Sequence, residues 1–298
     1  MFSILGAPLD SSGSDRGEAR APDALRRAGL AERLGALDLG DVAPGITDST
    51  RDPASGVIGF DELREASLAL ADAIARALHQ GDRPLVLGGD CCLLLGVFGG
   101  LRRVGGATGL WFVDGHADFY DADSSPSGEA ADMELAMLTG HGPPGLVDLV
   151  GAPPLVPPER VMILGHRRAE HDQDAAEELG YVPAAIERID APSIEEQKPG
   201  EVGRDCESRL AASGPAWLHL DLDVLDGEAL PALTYPQPGG LSWDGFIELV
   251  RPLAASPALV GISVADFEPD RDPHGVHAER VVEALVQAIA AGAPAATR

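Results

Sequence analysis

Two short clusters of metal-binding residue types stand out in this chain. Asp114, His116 and Asp118 alternate along one stretch, and Asp221 and Asp223 end a second apolar run. While a backbone stays extended, alternate side chains point to the same side. Burying several carboxylates together is unfavourable unless a cation neutralises them. The pattern therefore predicts a divalent metal, with an acidic loop after a core strand as the alternative for either cluster taken alone.

Together these residues supply more hard or borderline ligands than one structural ion normally needs. Because carboxylates can bridge metals, we expect a pair of Mn²⁺-like ions roughly 3.5–4 Å apart with hydroxide between them. Such a pair makes hydroxide available near neutral pH and holds it against an electrophilic carbon. His219 shares the strand face of Asp221 and Asp223, since it lies two and four positions before them.

The elements that must position these ligands are predicted from the apolar runs and their spacing. Strands are expected at 2–5, 84–87, 110–113, 161–164, 217–222 and 258–264, and helices at 23–30, 60–79, 93–98, 133–139, 202–212 and 278–290. Residues 40–57 and 191–203 are predicted to be loops. Strands that alternate with helices imply a three-layer α/β/α fold with a mostly parallel sheet, and we expect a single domain over residues 1–298.

In such sheets, ligands bind beyond the carboxyl ends of the strands. Cys91, Asp114, Asp118, Asp221 and Asp266 each lie at or after the end of an apolar run, so we expect them to meet at one edge. The glycine pair before residue 90 permits a sharp strand-to-helix turn. A phosphate loop is the rival interpretation, but no Gly-Lys-Ser/Thr follows.

The composition narrows the classes of function. The formal net charge is −26, from 22 lysines and arginines against 48 acidic residues, which disfavours nucleic-acid binding and fits an attraction to cations. Three cysteines are too few for a disulfide framework. No leader peptide is apparent at the start, and no apolar run is long enough to span a membrane. We therefore expect a cytoplasmic protein that binds neither nucleic acid nor membrane.

Longer motifs connect the chain with a known family. They are Gly-Gly-Asp-Cys at 88–91, Asp-Gly-His-Ala-Asp at 114–118, Ser-Pro-Ser-Gly at 125–128, Asp-Leu-Asp-Val-Leu-Asp at 221–226 and Pro-Gly-Gly-Leu-Ser at 238–242. With them, the chain resembles the arginase/agmatinase/formiminoglutamase family of ureohydrolases over essentially its full length. The resemblance implies an arginase-like α/β/α domain, a binuclear Mn²⁺ site, hydrolysis of guanidino or amidino C–N bonds in a small-molecule substrate, and assembly as a trimer or hexamer.

The same resemblance assigns metal ligands by position: Asp114 and Asp221 would bridge the ions, Asp118 would complete the shell of the first ion, and His116 and Asp223 that of the second. It also implies that hydroxide attacks the guanidinium carbon and that the tetrahedral intermediate then collapses. Asp118 would help to pass a proton to the leaving amine.

Two positions depart from the family pattern near the expected metals. Cys91 stands where the family normally has histidine, and a softer thiolate favours Zn²⁺, Fe²⁺, Co²⁺ or Ni²⁺ more than histidine does. A hydroxyarginine hydrolase of the superfamily resembles this chain in having cysteine there; the alternative is that Cys91 is a small buried hydrophobic residue. The family's proton-shuttling His-Gly is Ala131-Asp132 here. His141, His166 and His219 are candidates to replace it, or are loop or structural histidines.

The substrate-binding positions differ as well. The family's guanidinium-holding glutamate is Asp266 here, one methylene shorter, and Glu268 two positions later could line the same side. Tyr120, Ser127 and Glu129 are expected to meet the far end of the substrate. Because the Glu129 carboxylate would repel an α-carboxylate, we expect L-arginine to be a poor substrate and a cationic amine or a modified guanidine to fit better.

Two alternatives to a guanidino hydrolase stay open. One is a metal-binding relative that has lost catalysis, which the residues at positions 91, 131 and 266 favour. The other is an amidohydrolase that acts on acylated amines at a related metal site.

Overall fold

Eight strands form one sheet in the computed structural model, which describes residues 1–289. In chain order the strands are β1 (Phe2–Ala7), β2 (Leu37–Asp41), β3 (Arg83–Gly88), β4 (Gly109–Val113), β5 (Val161–His166), β6 (Glu187–Asp190), β7 (Ala216–Asp221) and β8 (Leu259–Ala265). All neighbouring pairs are parallel. The spatial order is β2-β1-β3-β8-β7-β4-β5-β6.

Helices connect these parallel strands. They are α1 (Ala21–Arg27), α2 (Leu30–Leu34), α3 (Phe60–His79), α4 (Leu93–Val104), α5 (Glu134–Leu138), α6 (Gln173–Glu178), α7 (Ala191–Glu196), α8 (Pro199–Ala211), α9 (Trp243–Ala254) and α10 (Val276–Ile289). None of the described helices combines the length and the apolar content needed to cross a bilayer.

The helices cover both faces of the sheet. On β4, Trp111 and Val113 pack into one core with residues of α1, α8, α9 and α10, whereas Leu110 and Phe112 pack into a second core with α3, α4 and α5. Both faces of the central strands are buried, which explains why they appear in the sequence as continuous apolar runs. The predicted three-layer, single-domain α/β fold is confirmed.

Several element predictions were wrong or incomplete. Residues 191–203 are not a loop, because they contain α7 and the first turns of α8. The carboxylate of Asp190 caps α7 by accepting from the Ser193 amide at 2.9 Å, and each of these two helices has a proline in its first turn, where proline is tolerated. The helix expected at 23–30 is two helices, since Gly29 adopts a left-handed φ of 86° between them.

The sequence patterns did not predict β2, β6 or α9. The two strands lie at the edges of the sheet and carry mostly exposed residues, so burial left no apolar run to detect. The last helix was expected to end at Ala290, which lies outside the described residues; α10 is described to Ile289.

Candidate metal centre

The predicted ligands meet at the carboxyl edge of four adjacent strands. β3 leads into Cys91, β4 leads into Asp114, β7 ends at Asp221 and β8 leads into Asp266. Because β3, β8, β7 and β4 are neighbours in that order, residues far apart in sequence come together. They border a cleft of about 400 Å³. Its lining includes these predicted site residues: Cys91, His116, Asp118, Tyr120, Ser127, Glu129, Asp221, Asp223 and Asp266.

Beneath and along the cleft floor lies a set of buried groups that we call the inner cluster: Cys91, Asp114, Asp118, Glu134, His219 and Asp221. Sγ of Cys91 lies 2.6 Å from Oδ2 of Asp221 and 3.8 Å from Oδ2 of Asp114. The same sulfur lies 3.2 Å from Nε2 of His219. Neither carboxylate oxygen of Glu134 has a hydrogen-bond partner among the described residues.

Burial dominates the electrostatics of the inner cluster. It raises the pKa of the Cys91 thiol and of the Asp114, Asp118, Glu134 and Asp221 carboxyl groups well above their usual values, and the neighbouring acidic groups raise each pKa further. Among residues 1–289, no lysine or arginine pairs with these carboxylates. Crowded acidic groups and an unpartnered buried carboxylate are what a divalent cation would stabilise, and the mixed thiol, imidazole and carboxylate donors fit such an ion.

On the other side of the floor lies the outer cluster, formed by His116, Arg167, Asp172 and Asp223. Nδ1 of His116 lies 2.7 Å from Oδ2 of Asp223, and its Nε2 lies 3.3 Å from Oδ2 of Asp172. Oδ1 of Asp223 accepts from the Gly115 amide at 3.0 Å and lies 3.8 Å from Nη1 of Arg167. A Cβ at position 115 would lie 1.7 Å from that nitrogen, so only glycine fits there.

The outer cluster contains its own positive charge. Burial alone would raise the pKa of Asp223, but the His116 imidazolium and the Arg167 guanidinium hold it below its usual range. Burial opposes protonation of His116, yet Asp223 and Asp172 hold the pKa of this histidine well above its usual value. The outer cluster is therefore electrostatically compensated by the protein itself.

The loop after β4 is held in an unusual conformation. Asp118 adopts a left-handed φ of 45°, a costly conformation for a residue with a side chain. Oε2 of Glu178 accepts from the Ala117 and Asp118 amides, both at 3.1 Å, and so fixes this turn. Asp266, across the cleft, also has a left-handed φ, of 63°. Both strained residues are carboxylates of the cleft.

Glu268 does not line the cleft, which corrects the expectation that it could face the substrate. At Asp266 the positive φ ends the extended conformation, so the alternation that would have placed Glu268 on the same side no longer applies. Its Oε1 instead accepts from the Asp270 amide at 3.0 Å and lies against Gly17.

The far end of the cleft carries charges of both signs. Arg16 forms an ion pair with Glu129, and its Nε lies 3.4 Å from Oε1 of Glu18 and 3.6 Å from Oδ1 of Asp10. Burial, together with the nearby carboxylate of Asp90, raises the pKa of Glu18 to about 8. Acidic groups therefore outnumber this guanidinium.

The two remaining predicted substrate contacts are also fixed by neighbours. Tyr120 packs against Tyr181 with ring centroids 5.6 Å apart. The hydroxyl of Ser127 donates to Oδ2 of Asp132 at 2.6 Å. Both side chains border the cleft, and both contact other side chains of the protein.

Of the three histidines considered as shuttle replacements, only His219 belongs to the centre. His141 lies in a different cleft, beside Phe119. His166 is the buried last residue of β5, and its Nδ1 lies 3.2 Å from the Arg167 carbonyl oxygen. His141 and His166 thus fit the alternative of loop or structural histidines.

Sequence reasoning missed several residues of the centre: Glu18, Glu134, Arg167, Asp172 and Glu178. A charged residue at the head of the apolar helix α5 was the available signal for Glu134. Arg167 directly follows β5 and so fits the same strand-end rule as the ligands. The others lie in polar segments without a distinguishing pattern.

Comparison with known proteins decides the family. The model described as "Arginase family" matches residues 1–291. The chain belongs to the arginase family. An arginase of Bacillus caldovelox is 29% identical over 281 residues, 91% of this chain and 92% of that protein. An arginase of Bacillus subtilis (strain 168) is 30% identical over 248 residues, 81% of each protein.

Solved structures agree with this family assignment. The crystal structure of arginase from Bacillus cereus matches this arginase-family chain with a TM-score of 0.84 at 27% identity, covering 99% of each chain. Membership confirms the resemblance to ureohydrolases and the predicted enzyme class, a hydrolase of guanidino or amidino groups.

Proposed function

We propose that this member of the arginase family uses two divalent metal ions to hydrolyse a C–N bond of a guanidino or amidino compound. The observation that supports the proposal is that the predicted ligands Cys91, His116, Asp118, Asp221 and Asp223, from separate parts of the chain, line one cleft. An oxygen of the buried Asp114 lies within 4.8 Å of donor atoms of Cys91 and Asp221. Mn²⁺ is the expected metal, and Zn²⁺, Fe²⁺, Co²⁺ and Ni²⁺ are the alternatives that the Cys91 thiolate favours.

The ligand roles follow the two clusters. Asp114 reaches both, since its Oδ2 lies 3.8 Å from Sγ of Cys91 and its Oδ1 lies 3.9 Å from Nδ1 of His116. This position suits a bridging carboxylate, as does that of Asp221 between Cys91 and Asp223. The chemistry that such a pair of ions supplies when bound is the ionisation of water near neutral pH.

The chain's own acidic groups bind and orient a cationic substrate. Asp266 and Glu18 both border the cleft, and the hydroxyl of Thr234 donates to Glu18. Carboxylates in a site shielded from water hold a guanidinium in place. A carboxylate oxygen of Asp118 would carry a proton to the leaving amine, since this residue lines the cleft beside the expected metals.

The rim supports the prediction that L-arginine is a poor substrate. Glu129 already pairs with Arg16, and the carboxyl groups of Glu18 and Asp10 lie beside that pair. A cationic amine or a modified guanidine therefore suits this end better than an α-carboxylate.

Trimeric or hexameric assembly and a cytoplasmic location stay predictions.

A substrate panel tests the proposal. The purified chain, loaded with Mn²⁺ or Co²⁺, is assayed for urea or hydroxyurea release from agmatine, guanidinobutyrate, hydroxyarginine and arginine, with an acylated amine as the amidohydrolase arm. We expect agmatine, which has no carboxylate, to exceed arginine in kcat/KM by about tenfold or more, a difference of about 1.4 kcal/mol. Efficient arginine turnover would contradict the substrate proposal.

The substitution Glu129→Gln sharpens that test. It removes the carboxylate at the far end of the cleft. The KM for arginine should therefore fall, and the difference in kcat/KM between agmatine and arginine should decrease. Exposed Glu201, on α8 and distant from the cleft, provides the matched control Glu201→Gln, which should leave the preference unchanged.

A metal-binding protein without catalysis is the second candidate. Among the described residues that line the cleft, His116 is the only histidine, and Asp223 and Asp172 engage it. An imidazole for proton shuttling is therefore missing from the cleft surface. Two bound metal ions without turnover of any substrate in the panel would favour this candidate.

A further inference from the structure

Two members of the inner cluster, His219 and Glu134, have no part in the function proposed so far. Neither lines the cleft, so neither contacts a substrate there. Both are 0% exposed, and each belongs to a group of donor atoms that includes Sγ of Cys91. A buried imidazole and a buried carboxylate behind a cleft floor require a physical reason.

The imidazole of His219 is held on two sides. Its Nδ1 lies 2.8 Å from Oγ of Ser263 on β8, and that oxygen also accepts from Nε1 of Trp217 at 2.9 Å. The ring of Phe112 stacks on it with centroids 5.3 Å apart and an interplanar angle of 23°. Nε2 therefore points toward Cys91. A histidine fixed through one ring nitrogen, with the other facing a group of donors, is arranged as metal-binding histidines are.

Glu134 supplies an independent observation beside Cys91. Both of its carboxylate oxygens are buried without a hydrogen-bond partner. An oxygen of Glu134, an oxygen of Asp118 and Sγ of Cys91 lie within 4.8 Å of one another. A fully buried carboxylate normally accepts several hydrogen bonds, so this one lacks the partner that would stabilise its ionised form.

The dimensions match those of a coordination sphere. One donor atom each of Cys91, Asp114, His219 and Asp221 lie within 4.8 Å of one another. With metal–ligand bonds of about 2.0–2.3 Å, two donors of one ion lie up to about 4.6 Å apart. The set around Cys91 therefore needs only small adjustments to surround a single ion.

We propose that His219 and Glu134 are additional metal ligands, which together with Cys91 give the inner ion a mixed nitrogen, sulfur and oxygen coordination. The assignment rests on the proposed metal centre, but not on its substrate or its turnover. A thiolate and an imidazole make this site softer than the carboxylate-rich outer half. The inner site should therefore hold Co²⁺ or Zn²⁺ in preference to Mn²⁺, so that the two positions differ in metal preference.

The test measures metal binding and spectra instead of activity. Apo-protein, prepared with a chelator, is titrated with Co²⁺ while the cobalt absorption is recorded, and bound metal is counted by elemental analysis. Cys91→Ser identifies the inner ion through loss of the thiolate-to-cobalt charge-transfer band. His219→Gln and Glu134→Gln should each weaken that ion's binding by about 10–100-fold and change its ligand-field spectrum. The matched control is His166→Gln, which alters another buried histidine on a neighbouring part of the sheet.

Stability without metal separates ligation from a purely structural role. Because Glu134→Gln replaces a buried carboxyl group whose two oxygens have no hydrogen-bond partner among the described residues, the apo-protein should melt at about the same temperature, whereas stabilisation by Co²⁺ should decrease. If Glu134→Gln lowers the melting temperature equally in the apo-protein and the cobalt-loaded protein, the assignment of Glu134 as a metal ligand is overturned. For His219, an affinity and a spectrum equal to those of the His166→Gln control would overturn the inference while the proposed function stands. A wild-type chain that binds no metal would overturn both.

Discussion

The outer cluster and the inner cluster bury carboxylates at the same edge of the sheet, yet their electrostatic surroundings differ. Asp223 in the outer cluster lies beside His116 and Arg167, and its pKa is held low. The inner cluster has no arginine or lysine partner within residues 1–289, and the pKa values of its carboxyl groups are raised. One half of the centre is compensated by the protein, and the other half is not.

This difference shows two ways of stabilising a buried carboxylate. The protein can supply the cation, as Arg167 does, or a cation can be bound from solution. We therefore expect folding alone to organise the outer cluster, and metal binding to be needed before the inner cluster is ionised. Three experiments test whether the two clusters differ in this way.

Replacement of Arg167 should have the largest effect. This side chain is 0% exposed, and its Nη2 donates to the Leu225 carbonyl at 3.1 Å. Arg167→Met leaves Asp223 buried without its guanidinium and should destabilise even the apo-protein by about 3–5 kcal/mol, measured by urea unfolding. The neighbouring Arg168 pairs with Asp190 in a partly exposed position, so the control Arg168→Met should cost under about 1 kcal/mol. Equal decreases in the free energy of unfolding for the two variants would show that Arg167 does not compensate the buried charge of Asp223.

A change of pH should have an effect of intermediate size on the stability of the apo-protein. Burial, only partly opposed by His116, raises the pKa of Glu178 to about 7, and burial together with Asp90 raises that of Glu18 to about 8. Above the unfolded glutamate pKa of about 4.3, the folded apo-protein holds more protons than the unfolded chain, so its stability falls as pH rises through these values. Metal binding displaces protons from the inner-cluster carboxyl groups, whose pKa values are also raised, so stabilisation by metal should grow as pH rises, on the order of 1–3 kcal/mol.

Melting temperatures of apo- and metal-loaded protein between pH 5 and pH 8 measure this effect. His116, whose pKa is also raised, acts in the same direction, while the lowered pKa of Asp223 acts only in more acidic solution. Glu178→Gln should reduce the decrease in the melting temperature of the apo-protein between pH 5 and pH 8. An apo-protein whose melting temperature stays constant or rises across this interval would show that the raised carboxyl groups do not govern its stability.

The smallest effect is expected for Asp172. Its Oδ2 lies 3.3 Å from Nε2 of His116, and its Oδ1 caps α6 by accepting from the Ala175 amide at 3.1 Å. Asp172→Asn keeps the cap but weakens the orientation of His116, so metal affinity at the outer position should fall about tenfold by calorimetric titration. Asp190→Asn changes the equivalent cap of α7 away from the centre and is the control. Identical affinities in the two variants would exclude a positioning role for Asp172.

Much of the sheet and most of the ligands were predictable because one rule covers both. Apolar runs mark the buried central strands, and polar residues at their carboxyl ends mark the site, as for Cys91, Asp114, Asp221 and Asp266. The edge strands β2 and β6 lack that signal, since solvent covers much of their surface. Short helix α7 resembled a loop, because proline, here Pro192 at its start, is also common in turns.

The rest of the centre depends on the spatial order of the strands, which no local pattern contains. Glu134 and His219 meet at Cys91 only because β3, β8, β7 and β4 lie side by side. The Glu268 prediction failed for a local reason, the positive φ at Asp266. Alternation holds only while the backbone remains extended, and nothing in the neighbouring residue types revealed that break.

The ion pair between Arg16 and Glu129 joins two loops that are 113 positions apart in the sequence. A zwitterionic tail, with an ammonium and a carboxylate together, would have to compete with two protein charges that already satisfy each other. A tail with a single positive charge would leave that pair intact and still lie near the carboxyl group of Glu18, which borders the cleft. The Arg16–Glu129 ion pair, which is formed without a bound substrate, would then determine which substrate tails bind.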